Sequence, residues 1–215
     1  MSTFIPMKKK CAICGKKNIY EELAGTSSFG SPDLDLRPAP LQRNMMFLWV
    51  QECPECGYVS SDISKKSKIK KNFLQSVEYK KCDGLSFMSD LSEKFYRLYL
   101  IMSATNKTEE AFWALLHGAW ACDDVSDEEN AKHLREMSLP LITEMICENN
   151  ENKTNYLLVK ADILRRAGHF NELLEEYSSV KPEDELLMQI LLFELQKARE
   201  KDTKCYTVQD AVPEF

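Results

Sequence analysis

Apolar side chains keep two different rhythms along this chain, and the change falls near residue 62. Beyond it they recur at intervals of three and four residues, the period of an amphipathic helix. Ile69, Phe73, Leu74 and Val77 begin the pattern, which predicts a linking helix ended at Gly84. Leu91, Phe95, Leu98 and Met102 form the next stripe, behind the cap signal Ser89-Asp90. Thr108 is placed to cap a helix over 109–122 that carries Phe112, Trp113, Leu116 and Trp120. Ser126 with Glu129 reads as a capping box opening a longer helix through Leu134, Met137, Leu141 and Met145, in which Pro140 predicts a kink or break. Helices over about 153–167, ended by Gly168, over about 171–180, and from Pro182-Glu183-Asp184-Glu185 to about Lys201 complete the series.

Residues 8–62 lack this period. They hold turn-forming residues from Gly25 to Pro32, then the continuous apolar run from Met45 to Val50, which predicts a strand buried on both faces, and Tyr58-Val59, which can carry another. The expected fold class is therefore α+β and mainly α: a small N-terminal β zinc ribbon followed by tetratricopeptide-like helical hairpins. Its expected parts are a ribbon at 8–62 with a long loop between its two knuckles, a basic linking helix at 63–84, and a helical repeat-like domain at 85–205. The repeat reading rests on two stretches. Trp113-Ala114-Leu115-Leu116-His117-Gly118-Ala119-Trp120 resembles the first helix of a tetratricopeptide repeat, and Ala161 to Phe170 resembles the turn of another. His117 stands where that repeat has a small residue, and no full period of about 34 residues recurs.

Chemistry enters with the cysteines. Cys11 and Cys14, trailed by Gly15, and Cys53 and Cys56, trailed by Gly57, make two short pairs, each across a tight turn. Four thiolates form the closed tetrahedral set preferred by structural zinc, so one Zn²⁺ bound by Cys11, Cys14, Cys53 and Cys56 is expected, with no open position for catalysis. A redox dithiol would need one pair at a helix start after a strand, and neither pair has that setting. The 38 residues between Cys14 and Cys53 exceed the compact ribbon spacing, so they must form an extended loop or hairpin. The other four cysteines, Cys82, Cys122, Cys147 and Cys205, are scattered singly and are expected to be free thiols, with Cys122 and Cys147 among apolar helical positions.

Charge narrows the picture further. The net charge is −6, yet residues 1–81 carry 14 Lys and Arg against 8 Asp and Glu, while the remainder carries 14 against 26. Lys65, Lys66, Lys68, Lys70 and Lys71 form a basic cluster able to meet phosphates, or simply a solvated face beside an acidic helical part that would repel a nucleic-acid backbone. Gly25 to Gly30 has the glycine spacing of a phosphate loop, but Ser31-Pro32 stand where Lys-Ser/Thr is required. Asp33, Asp35 and Arg37 are the one candidate polar site, with an internal salt bridge or turn cap as the plainer reading. His117, His133 and His169 have no metal-binding or protease spacing, and the sequence assigns no catalytic residue. No run reaches the roughly 20 apolar residues of a membrane span, and the first ten residues lack a secretory signal, so a cytoplasmic location is expected.

The segment Ser31-Pro32-Asp33-Leu34-Asp35-Leu36-Arg37-Pro38-Ala39, followed by Trp49-Val50-Gln51-Glu52-Cys53-Pro54-Glu55-Cys56-Gly57-Tyr58-Val59, resembles a bacterial domain-of-unknown-function family. That family has an N-terminal four-cysteine zinc ribbon followed by tetratricopeptide-like helices. The resemblance implies the metal and the two-part layout, and no activity. The expected function is a zinc-binding adaptor whose helical surface holds a protein or peptide partner. The alternative is a nucleic-acid-binding zinc-ribbon protein using the basic cluster, and no membrane partner is expected.

Overall fold

The computed structural model describes residues 2–148 and 153–213. In these the chain is mainly helical, with two small antiparallel sheets near the N-terminus, so the mainly α member of the α+β class read from the sequence holds. It divides into two compact units, one built from Met1–Ser28 with Pro40–Ala131 and the other from Phe29–Ala39 with Lys132–Phe215. This division differs from boundaries at 62 and 84. Part of the loop between the cysteine pairs belongs to the C-terminal unit.

In the first unit, β1 (Thr3–Lys10) pairs antiparallel with β2 (Lys17–Gly25), in register from Phe4 opposite Leu23 to Lys10 opposite Lys17. The first knuckle is the tip of this hairpin. The second is the tip of a shorter one, β3 (Gln51–Glu52) with β4 (Val59–Ser60). The apolar run before it is not the expected strand. Residues Arg43–Leu48 form a 3-10 turn that leaves Phe47 exposed while Met46 and Val50 are buried. The backbone there closes short-range bonds instead of pairing with a strand: the Met45 N–H bonds the Gln42 carbonyl and the Trp49 N–H the Met46 carbonyl, both at 3.0 Å.

The basic linking helix is also corrected. Lysines 65–71 lie in turns, and helix is confined to a 3-10 turn at Phe73–Gln75 and to α1 (Val77–Lys81), capped by the Ser76 hydroxyl. Five lysines within seven residues repel one another on a helix, and only Ile69 in that stretch offers an apolar anchor. Next come α2 (Asp90–Ala104), capped by Ser89 as expected, and α3 (Thr108–Asp123). These two pack as an antiparallel hairpin, burying Phe95, Leu98 and Ile101 with Phe112, Leu116 and Trp120. Thr108 lies inside α3, and its N-cap, Lys107, makes no side-chain cap.

The unit boundary falls within α4 (Glu128–Cys147), which runs continuously through Pro140. The break expected at Pro140 does not occur: proline removes one intrahelical hydrogen bond, and the helix continues on either side of it. The expected capping box is replaced by Asp127, whose Oδ1 accepts from the Asn130 backbone at 3.4 Å, because Ser126 takes a left-handed φ of 59°. The C-terminal unit continues with α5 (Lys153–Arg166), α6 (Phe170–Tyr177), α7 (Glu185–Arg199) and α8 (Val208–Ala211). Gly168, at φ 83°, ends α5 as the sequence predicts: its N–H bonds the Arg165 carbonyl at 3.0 Å, and the His169 N–H reaches back to Leu164 at 2.8 Å. Asp184 caps α7 through the Leu187 N–H at 3.0 Å.

The core of this unit joins Leu158, Leu164, Leu173, Tyr177 and Leu191 from the helices with Val208, Val212 and Leu34. Leu34 comes from the loop between the cysteine pairs. The stretch around it lies along the C-terminal tail: the Leu34 N–H bonds the Tyr206 carbonyl, the Val208 N–H bonds the Pro32 carbonyl, both at 2.9 Å, and Asp33 bridges Thr207. Among the described residues no helix is long and apolar enough to cross a membrane.

Candidate metal centre

The two knuckles are built alike. The Cys11 N–H bonds the Lys16 carbonyl at 2.8 Å and the Gly15 N–H bonds the Cys11 carbonyl at 2.9 Å. The Cys53 N–H bonds the Tyr58 carbonyl at 2.8 Å and the Gly57 N–H bonds the Cys53 carbonyl at 2.9 Å. Gly15 and Gly57 close the turns at φ 75° and 70°, a region that side chains other than glycine rarely adopt.

These turns bring all four Sγ atoms within 4.8 Å of one another, with Cys11 to Cys56 at 3.8 Å and Cys14 to Cys53 at 3.6 Å. A regular tetrahedron with metal–sulfur bonds of about 2.3 Å has edges of about 3.8 Å, so the spacing fits a single ion held by four thiolates. Cys11 and Cys53 are buried, and Cys14 and Cys56 are half-buried. Burial opposes ionisation here: it pushes the Cys53 and Cys56 thiols up against the help of backbone N–H groups. At Cys14 the opposite holds, because the Lys16 N–H and the neighbouring sulfurs outweigh burial and pull the thiol down. A dication at the centre of the four sulfurs is the charge that would let all of them ionise together.

Several contacts fix the knuckles in the first unit. The Ala12 N–H bonds the Ile63 carbonyl at 2.9 Å, and the Ile63 N–H bonds the buried Gln51 Oε1 at 3.0 Å. Lys9 pairs with Glu22 and, at 2.9 Å, with Asp62. Burial acts to raise Asp62, but Lys9 and Ser64 outweigh it and hold its carboxyl down to about 2. On the other side, the Tyr79 hydroxyl donates to the Gly57 carbonyl at 2.6 Å, and Arg97 of α2 pairs with Glu52 at 3.0 Å.

Asp33, Asp35 and Arg37 belong to the C-terminal unit. They form a tight turn in which Leu36 takes φ 68° and the Asp33 N–H bonds the Arg37 carbonyl at 2.9 Å. All three are buried, Asp35 pairs with Arg166 at 3.3 Å, and the Cys205 thiol donates to Asp33 at 3.3 Å.

The sequence reading missed the neighbouring hub, Arg165. Fully buried, it donates from Nε to Glu194 at 2.5 Å, from Nη2 to Asp162 at 2.6 Å, and from Nη1 to the carbonyls of Asp202 and Lys204 at 3.0 and 2.7 Å. Burial pushes Asp162 and Glu194 up, the latter to about 8, since two carboxylates share one guanidinium away from water. Burial would lower Arg165, but the two carboxylates outweigh it and raise it. Glu194 and Arg165 both lie in apolar helical stripes, and a charge at a core position was the signal available in the sequence.

Of the remaining cysteines, Cys82 and Cys122 are buried while Cys147 and Cys205 are exposed, so Cys147 is not the apolar position expected of it. It stands at the last residue of α4. His117, which breaks the repeat pattern in α3, is the centre of a ring cluster. Its centroid lies 5.0 Å from Trp49, 5.3 Å from Phe95, 5.9 Å from Trp113 and 4.9 Å from Trp120. Compared with protein-family models, with curated proteins and with solved structures, the chain matches none.

Proposed function

We propose that this is a zinc-ribbon protein whose metal is structural and whose work is to recognise a partner. The observation that carries the metal is the sulfur tetrahedron, four Sγ atoms within 4.8 Å on two like knuckles. All-thiolate coordination favours zinc and closes its coordination sphere, which argues for architecture over catalysis. Asp33, Asp35 and Arg37 are buried, and Asp35 is paired with Arg166 and Asp33 with Cys205, which favours a structural role for them. The adaptor role draws on the helical part, since stacked helical hairpins commonly present a concave surface that holds a peptide or protein.

Metal analysis of the purified chain is expected to give about one zinc per molecule. Replacing Cys53 and Cys56 by serine should abolish retention and expose the amides of both knuckles to hydrogen exchange. A chain that folds fully and excludes zinc ends this reading. The adaptor part further predicts a captured protein partner whose binding persists at high salt. Binding to DNA or RNA that falls steeply between two salt concentrations would replace it with the nucleic-acid alternative.

A further inference from the structure

Within the first unit, a cavity of about 740 Å³ opens between the second knuckle and the α2–α3 hairpin. Its size lies in the range that holds one small molecule. Its inner wall is apolar and aromatic: Leu98, Ile101 and Met102 from α2, Trp113 and His117 from α3, and Trp49 from the stretch leading into Cys53. Trp49 and Trp113 both lie against His117 and are both half-buried, so each indole has ring surface to offer a ligand.

The rim has the opposite character. Lys65, Lys66 and Lys68 line it, with Lys107 and the seryl side chains of Ser60, Ser61 and Ser67. Glu110 is the one carboxylate on the rim, and it pairs with Lys107 at 2.8 Å. Lys65, Lys66 and Lys68 are exposed and make no ion pair among the described residues. Aromatic surface beneath three uncompensated ammonium groups selects a molecule that is flat and apolar at one end and multiply anionic at the other.

We propose that this cavity binds a free nucleoside phosphate, its base against Trp49 and Trp113 and its phosphates on Lys65, Lys66 and Lys68. Indole faces accept any base by stacking, and lysine serves phosphate as a point charge without demanding one geometry. A single nucleotide fits the volume. This gives Lys65, Lys66 and Lys68 of the lysine cluster a purpose.

The test is titration of the zinc-loaded full chain with ATP and with GTP, followed by tryptophan fluorescence and calorimetry. Saturable binding is expected with at least one of them. Adenosine or guanosine alone and inorganic triphosphate alone should each bind at least tenfold more weakly. Changing Lys65, Lys66 and Lys68 together to alanine should weaken binding at least tenfold with the thermal midpoint unchanged, since all three are exposed, and Trp113→Ala should weaken it to a similar degree. The proposal is overturned by absence of saturable binding of either nucleotide up to millimolar concentration, or by a lysine variant that binds as the parent does. It is equally overturned if a short single-stranded oligonucleotide binds more tightly than either nucleotide and neither displaces it.

Discussion

Gly57 and Arg165 act through opposite properties, one by lacking a side chain and the other by burying the most polar one. A Cβ built on Gly57 meets nothing within 4 Å, so only its φ of 70° resists substitution. Gly57→Ala should therefore weaken the knuckle by about 1–2 kcal/mol, through backbone strain alone. The expected readout is a lowered unfolding midpoint for the zinc-loaded protein with zinc stoichiometry retained. Arg165 gathers the side chains of Asp162 and Glu194 and two backbone carbonyls around one guanidinium. Removing it would leave two buried carboxylates facing each other, which is why Asp162, Arg165 and Glu194 are best treated as one group.

That group pins α5 to α7 and to the tail after α7, and its protonation belongs to the elements it joins. Glu194 has a raised value, about 8 against an ordinary 4.5, so the folded state binds a proton more tightly than the unfolded one between those limits. In that window stability is largest on the acid side and falls as pH rises through about 8. Each pH unit is worth at most about 1.4 kcal/mol. Glu194→Gln keeps an acceptor for Arg165 and removes the titration, so its stability between pH 5 and 8 should be flatter than that of the parent in denaturant unfolding. The helices themselves are legible in the sequence. The stripes of α2, α3, α5 and α7, the Ser89 cap and the Gly168 stop all follow from local period and capping. The lysine stretch at 65–71 escapes that reading because apolar spacing takes no account of the mutual repulsion of its charges.

At the scale of the whole molecule, the chain leaves the first unit after Ser28, contributes Phe29–Ala39 to the second, and returns at Pro40. Leu34 therefore lies between the two cysteine pairs in sequence and in the core of α5–α7 in space. Leu34→Ala should destabilise the C-terminal unit by about 2–5 kcal/mol, the range for a buried leucine truncated in a packed core. Hydrogen exchange should show α5 and α7 losing protection, with zinc content unchanged. The sequence alone marked out the four cysteines that cluster and most of the helices. A knuckle is closed by hydrogen bonds within about six residues, and a helix by bonds about four residues apart, so both leave a local pattern. Only the tertiary structure decided that Asp35 meets Arg166 and Asp33 meets Cys205, that Arg165 is a hub, and that Trp49 meets His117 over a lysine-rimmed cavity. These contacts join positions tens to well over a hundred residues apart. Burial and charge pairing at such separations depend on how elements pack, and no local period records them.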